Sequence, residues 1–431
     1  MHKWLIIQVA GLGADFVRHW RGESPLAGLT VQRLAPVFPA LTCPVQAAFR
    51  TASPLASHGM PANGLYLRDL RKALFWEQSA ALVQGPRIWE SFRRRGGRVG
   101  LCFWQQGMGE AVDLLLTPAP VHKHSGGIVD DVYAQPDDLY ARLCTRLGRR
   151  FHLQNYWGPL ASVKSSAWIA EATGALLREH DAPELCLTYL PGLDYDLQRF
   201  GPGHARAGRA LDALEYQITQ LHRAARETGY TTLLFGDYAI APVRHAVFPN
   251  RALRQAGLLR TRKVRGRLYA DLPASRAFAV TDHQIANIYL NDPAALEPAA
   301  TALQAVPGIA AVWDRAAVSA QGLNHAAGGD LIAVAESDAW LAYPWWEDDA
   351  EAPDFAAHVD IHNKPGYDPL ELFFGWPPGS ISHDSGRICG SHGRVGGAGT
   401  EIAWATDGEL RLGGNSTLID LAAALRQALE G

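Results

Sequence analysis

Thr42 follows Pro39-Ala40-Leu41 and precedes Cys43-Pro44 and an apolar helical run. A hydroxyl at a helix N-terminus meets backbone N–H groups without intrahelical partners and the positive end of the macrodipole. Both favour a developing alkoxide or a bound phosphate. The same position also suits a threonine that only caps its helix, and spacing alone leaves both readings open. Carboxylates follow two apolar runs, Asp194 within LPGLDYDLQRFGP and Asp237 in Gly236-Asp237-Tyr238. Histidines with or without acidic neighbours stand at Asp282-His283, His325, Asp360-Ile361-His362 and Gly390-Ser391-His392-Gly393. Asp and His are residue types that can ligate divalent cations, while the ordinary reading of any single His is a surface or hydrogen-bonded core role.

The stretch from Pro36 to Gly64, PVFPALTCPVQAAFRTASPLASHGMPANG, resembles the nucleophile region of the nucleotide pyrophosphatase/phosphodiesterase branch of the alkaline-phosphatase superfamily. The matching residues are Thr42 after its Pro-Ala-Leu lead-in, Thr51-Ala52 with Pro54, His58-Gly59 and Asn63. The resemblance implies Thr42 as a nucleophile that is transiently phosphorylated, and Asn63 as a binder of nonbridging oxygens. Locally, His58-Gly59 also reads as a helix end and Asn63-Gly64 as a turn.

The resemblance further implies two divalent metals held by four loops, zinc or manganese being the expected ions. The first loop departs from the pattern, because Ala10 stands where an Asp is expected at the end of the first strand. Asp15 lies nearby but displaced, as a solvent-side or capping residue. The second loop keeps Asp194 but has Gln198 in the histidine position, and the third keeps Asp237 but has Tyr238. For the last ligand, His392 fits, while the Asp360/His362 pair competes for the role. Asp194, Asp237, Asp360, His362 and His392 are therefore the expected ligands. Either substitutes such as Asp282, His283 or His325 complete the centre, or it holds one metal or none.

Phosphate contacts are expected from His122, Lys123 and His124, just before Ser125-Gly126-Gly127, a loop that reads equally as an exposed turn. The stretches YWGPLASVKSSAWIA, SRAFAVTDHQIANIYLNDP and VDIHNKPGYDPLELF carry the similarity over nearly the whole chain, toward a bacterial subgroup of alkaline-phosphatase-like proteins. Members of that subgroup occur beside enzymes resembling sugar-phosphate cyclases and prenyltransferases, which points to small-molecule biosynthesis.

Short apolar runs at 4–9, 100–104, 185–190 and 231–235 are bounded by Gly, Pro or Asp and predict buried strands. Between them, 207–228 carries Leu211, Leu214, Ile218 and Leu221 at helical spacing, with Gly229 as its stop. Alternating strands and helices predict an α/β fold, a mostly parallel sheet sandwiched by helices, with chemistry in loops at the strands' carboxyl ends. Residues 251–342 break that rhythm. Strands at 277–282, 286–290, 310–313 and 330–335 around a helix at 293–305 predict an inserted α+β cap on a core of 1–250 and 343–431.

The 431 residues are 48% hydrophobic and 19% charged, enough apolar material for a large core with an insertion. The net charge of -3 and the lack of long basic blocks argue against a nucleic-acid polymer as partner. Five scattered cysteines without paired spacing, and an N-terminal apolar run too short to span a bilayer, predict a cytoplasmic protein with no transmembrane segment. Trp340, Trp345 and Trp346 beside Tyr343 either pack a domain interface or line a ligand pocket. The expected function is hydrolysis or transfer of a phosphoryl group on a small phosphorylated metabolite. The rival reading is a metal-poor pseudoenzyme that binds a phosphorylated or prenylated molecule, favoured by Ala10, Gln198 and Tyr238.

Overall fold

The computed structural model describes residues 1–123, 128–362 and 364–430. The N-terminal apolar run forms β1 (Lys3–Val9), buried from Trp4 onward. It is followed in chain order by β2 (Gln32–Leu34), β3 (Val99–Cys102), β4 (Leu114–Pro118), β5 (Val132–Gln135), β6 (Leu185–Leu190) and β7 (Tyr230–Gly236). Next come β8 (Ala277–Asp282), β9 (Ile285–Leu290), β10 (Ile309–Trp313), β11 (Leu331–Ala335) and β12 (Ile402–Thr406). The main sheet has eight strands in the order β2-β12-β7-β1-β6-β3-β4-β5. Its centre is parallel, from β7 through β1, β6 and β3 to β4. Both margins are antiparallel. Strands covered on both faces have no solvent side, which is why β1 and β6 read as continuous apolar runs rather than alternating ones.

The helices that position the site are α1 (Ala14–Arg21), α2 (Thr42–Thr51), α3 (Val163–Leu176), α4 (Gly192–Phe200) and α5 (Ala205–Glu227). Helix α5 buries Leu211, Leu214, Ile218 and Leu221 and packs against α3. It stops where Gly229 takes a φ of +77°, the left-handed conformation that favours glycine after a helix. The alternation of strand and helix yields an α/β fold.

Strands β8 to β11 form a separate four-stranded antiparallel sheet in the order β8-β9-β11-β10. A short 3-10 turn and helix α6 (Leu296–Gln304) lie between β9 and β10. The core of this small sheet also takes Tyr66, Phe75, Val247, Trp345 and Trp346 from outside residues 251–342. Trp345 and Trp346 are therefore packing residues, as is Trp340 in a neighbouring cluster.

Candidate active site

Thr42 is the first residue of α2, and the cap position belongs to Leu41, in extended backbone with no side-chain cap. Thr42 is thus not the helix cap. Its side chain is buried and lines one cavity together with the side chains of Tyr189 and Tyr238. The first turn offers fewer backbone donors than a helix start ordinarily does. Pro44 has no N–H, and the N–H of Cys43 donates to Asn63 Oδ1 at 2.9 Å.

Asn63 is held at both ends. Its backbone N–H donates to Asp282 Oδ2 at 2.7 Å and its Nδ2 to Asp282 Oδ1 at 3.2 Å. Asp282 Oδ1 also lies 2.7 Å from His283 Nδ1. One carboxyl group at the end of β8 therefore ties the small sheet to the residue that clamps the start of α2. Burial pushes the Asp282 carboxyl up to about 7, opposed by the two bonds from Asn63.

Asp237 follows β7 and Asp194 lies in the first turn of α4, so the two expected carboxylates flank the carboxyl end of β1 as the parallel sheet requires. Asp237 is fully buried and accepts from Gly11 N at 3.0 Å, Tyr238 N at 2.9 Å and Gln8 Nε2 at 3.2 Å. Gly11 reaches it at φ +73°, a conformation that L residues with a Cβ rarely adopt. Ala10, where a bridging carboxylate was expected, is buried beside them. Asp194 accepts from Gln198 Nε2 at 2.5 Å and from the Tyr238 hydroxyl at 3.2 Å. The Tyr367 hydroxyl donates to Gln198 Oε1 at 3.1 Å, which extends the chain of bonds. Burial pushes Asp194 up to about 7 and Asp237 well above the usual carboxylate range.

Beside this network stands a column of rings. Tyr238 stacks on His392 with centroids 3.4 Å apart and planes 4° from parallel. His392 lies 3.8 Å from His283, and His283 stacks on Tyr367 at 3.9 Å. His392 Nδ1 is bonded to Ala40 O at 2.7 Å. Burial lowers the pKa of both imidazoles, that of His283 to about 3, and their Nε2 atoms are buried without a hydrogen-bond partner.

The cavity over Thr42 has a volume of about 80 Å³. Tyr156, Tyr189, Tyr195, Tyr238 and Tyr367 give it a phenolic wall, with Asp194, Gln198 and His283 among its polar groups. None of its described lining residues is Lys or Arg. Asp368 and Glu371 at its edge are matched from behind by the buried Lys364, whose Nζ lies 2.8 Å from Asp368 Oδ2 and 2.7 Å from Glu371 Oε1.

Of the remaining expected site residues, Asp360 and His362 line a second, larger cavity of about 720 Å³, which shares Trp157, Gly158 and Ile361 with the first. His362 Nδ1 lies 3.0 Å from Phe75 O. The pair does not join Asp194 and Asp237. Lys123 is exposed. His122 belongs to a two-residue strand paired with Ile128–Val129, and His124 lies outside the described residues. Asp15 is exposed and pairs with Arg33, the solvent-side role expected of it. His325 stands against Gly59 and Gln84, away from the carboxylates.

A family model, type I phosphodiesterase / nucleotide pyrophosphatase, matches residues 5–368. The chain belongs to that family, a branch of the alkaline-phosphatase superfamily whose members are phosphoric-ester hydrolases, and it is an enzyme of that class. Among solved structures it resembles phosphonoacetate hydrolase from Sinorhizobium meliloti 1021 in complex with phosphonoacetate, at 16% identity and TM-score 0.66, covering 100% of this chain and 96% of the other. It also resembles murine ectonucleotide pyrophosphatase / phosphodiesterase 5, at 14% identity and TM-score 0.62, covering 99% and 95%. An inactive form of that murine protein in complex with AMP gives 13% identity and TM-score 0.62, covering 100% and 95%. No curated protein matches the chain.

The family typically depends on divalent zinc, but the residues present here do not fit a pair of such ions. The oxygens of Asp194 and Asp237 already accept from amide and phenol donors. The bare Nε2 atoms of His283 and His392 are the strongest claim to a cation, yet each ring is stacked on a tyrosine, His392 on Tyr238 and His283 on Tyr367. Among the described residues no group of three or more His, Cys, Asp or Glu could hold a metal.

Sequence reasoning missed the phenols of Tyr189 and Tyr367, and it did not connect Asp282 to Asn63. Tyr189 alone carried a local signal, as the penultimate residue of a buried strand that leads into the Asp194 loop.

Proposed function

We propose that the Thr42 cavity is where this hydrolase cleaves its phosphoric ester, on a small phosphorylated molecule, with Thr42 Oγ1 as nucleophile. The observation that carries the reading is the placement of Thr42 itself, at the first position of α2, in the cavity wall beside Tyr189 and Tyr238. In the first half-reaction Thr42 Oγ1 loses its proton and bonds to phosphorus, while the bond from phosphorus to the leaving alcohol breaks and that alcohol takes up a proton. Water, or in a transfer reaction a second alcohol, then bonds to phosphorus while the Thr42 Oγ1–P bond breaks, and the proton lost by the attacking oxygen is balanced by reprotonation of Thr42. Lys123, His122 and His124 remain proposed contacts for the rest of the substrate.

The lining favours one charge state of substrate. A phosphate monoester brings two negative charges near neutral pH and a diester brings one. With no Lys or Arg in the described wall and only a partial positive charge at the start of α2, the diester is the better match. The family name agrees with that preference. We further propose residues 251–342 as an inserted cap over a core of 1–250 and 343–431, and a cytoplasmic protein serving small-molecule biosynthesis. No described helix is long and apolar enough to cross a membrane.

The test is turnover of bis(para-nitrophenyl) phosphate against para-nitrophenyl phosphate, with mass spectrometry of acid-quenched protein. Faster release from the diester, a para-nitrophenyl phosphoryl group on Thr42 with that substrate, and loss of both in Thr42→Ala are the expected results. Turnover that survives Thr42→Ala would sink the nucleophile assignment.

A second reading, a binding protein without turnover, draws on the filled carboxylates of Asp194 and Asp237. Ligand binding that persists in Thr42→Ala, with no turnover by either form, would select it.

A further inference from the structure

We infer that the space in which the family places its ions is filled, in this chain, by the chain's own side chains, so that the folded protein does not take up the divalent pair. The inference concerns the same site as the proposed function but not its nucleophile, and the two can fail separately.

The departures at positions 10, 198 and 238 are mutually consistent. A buried carboxylate is costly unless its lone pairs are matched, by a cation or by hydrogen-bond donors. Here every replacement supplies donors or removes the need for them. The Gln198 amide donates to Asp194 Oδ2, and the Tyr238 hydroxyl donates to Asp194 Oδ1. Ala10 removes one carboxylate from the cluster altogether, which lowers the negative charge that remains to be matched. Asp237 is matched by the backbone of Gly11 and Tyr238 and by Gln8. The Tyr238 ring also occupies space. It lies face to face with His392, at 3.4 Å, and so fixes that imidazole within the ring column. Tyr367 closes the arrangement by bonding to Gln198 Oε1 while stacking on His283.

A decayed site would be expected to leave carboxylates facing each other without donors. Instead Asp194 and Asp237 each have at least two donors. The arrangement is a substitute framework in which amide and phenol donors do the charge matching that a cation would do.

The experiment is elemental analysis of the full chain purified without chelator, together with thermal melts in added Zn²⁺ or Mn²⁺. It uses wild type and the triple variant Ala10→Asp, Gln198→His, Tyr238→His. The wild type is expected to hold far less than one ion per chain and to melt at the same temperature with either metal. The triple variant is expected to bind metal and to melt higher in its presence. Stoichiometric metal in the wild type, retained through gel filtration and lost in Asp194→Ala, overturns the inference without reference to any variant's activity. A triple variant that folds, by circular dichroism, yet binds no metal also overturns it, because the three positions would then not be what displaces the ions. If the triple variant does not fold, the wild-type metal content and melts decide the matter alone.

Discussion

The Tyr238 hydroxyl lies 3.2 Å from Asp194 Oδ1 while its ring lies flat on His392 at 3.4 Å, so one side chain both matches a buried carboxylate and holds an imidazole. The two roles can be separated by substitution. Tyr238→Phe keeps the stack and removes the donor, which is expected to cost about 1–3 kcal/mol for a buried acceptor left short of a partner. Tyr238→Leu removes both and is expected to cost more. Urea denaturation of the two variants checks this. Equal losses would mean that the stack contributes nothing, and no loss in Tyr238→Phe would mean that the hydroxyl contributes nothing.

Asp282 is expected to act on the reaction through Asn63 rather than by touching substrate. Its carboxyl accepts from Asn63 N, Asn63 Nδ2 and His283 Nδ1. In Asp282→Asn an amide NH₂ replaces one acceptor and faces donors, so the grip on Asn63 and on the N–H of Cys43 loosens. Turnover is expected to fall about tenfold or more, the equivalent of roughly 1.4 kcal/mol of transition-state stabilisation, with KM little changed. A change confined to KM would place Asp282 in substrate binding instead.

Lys364 is buried with Asp368 and Glu371 beside it. Lys364→Met strands two carboxylates in the interior, and breaking a buried pair in this way typically costs about 3–5 kcal/mol. The loss is expected to shrink at lower pH, where the stranded carboxyls take up protons. Melting curves of wild type and variant at pH 5 and pH 8 measure it, and a loss that does not depend on pH would contradict the electrostatic cause.

His58 gives a pH dependence of opposite sign. Its burial lowers the imidazole pKa to about 3, with the nearby charges of His325 and Arg50 acting in the same direction. The unfolded chain protonates near the ordinary histidine pKa of about 6.5 while the folded chain does not, so His58 makes stability fall as pH drops from about 6.5 toward 3. The slope from this one group is at most about 1.4 kcal/mol per pH unit. His58→Gln is expected to flatten acid denaturation across that window. A variant curve parallel to wild type would show that His58 does not stay neutral in the fold.

The sequence made the main sheet and the small sheet legible for a physical reason. Strands such as 185–190 and 277–282 are buried throughout and mostly apolar because both their faces are covered, and that pattern survives in a single chain. Asp194 and Asp237 were legible for a related reason, since polar residues just past buried parallel strands have few places to go except the sheet's carboxyl edge. What could not be read was anything that depends on how distant segments meet. His283 sits at a tight turn between β8 and β9, and only the docking of the small sheet brings it to His392. Asp360 and His362 drew attention because Asp-x-His is a local ligand pattern, whereas the loop carrying them faces the larger cavity. Thr42 was ambiguous between cap and nucleophile because the two differ by one residue of helix register, and a sequence does not fix helix ends that finely.

The ring column has a mechanical meaning. Tyr238 follows the central strand β7, His392 comes from the loop before β12, and His283 belongs to the small sheet. Their close ring contacts work as a rivet through the seam between the two sheets. Swinging the small sheet away like a jaw would first have to peel aromatic faces apart and pull the Asp282 carboxyl off Asn63. Traffic to Thr42 is then a matter of side doors rather than a gaping mouth, and the doorway already framed is the one at Trp157, Gly158 and Ile361, where the small cavity and the large one adjoin.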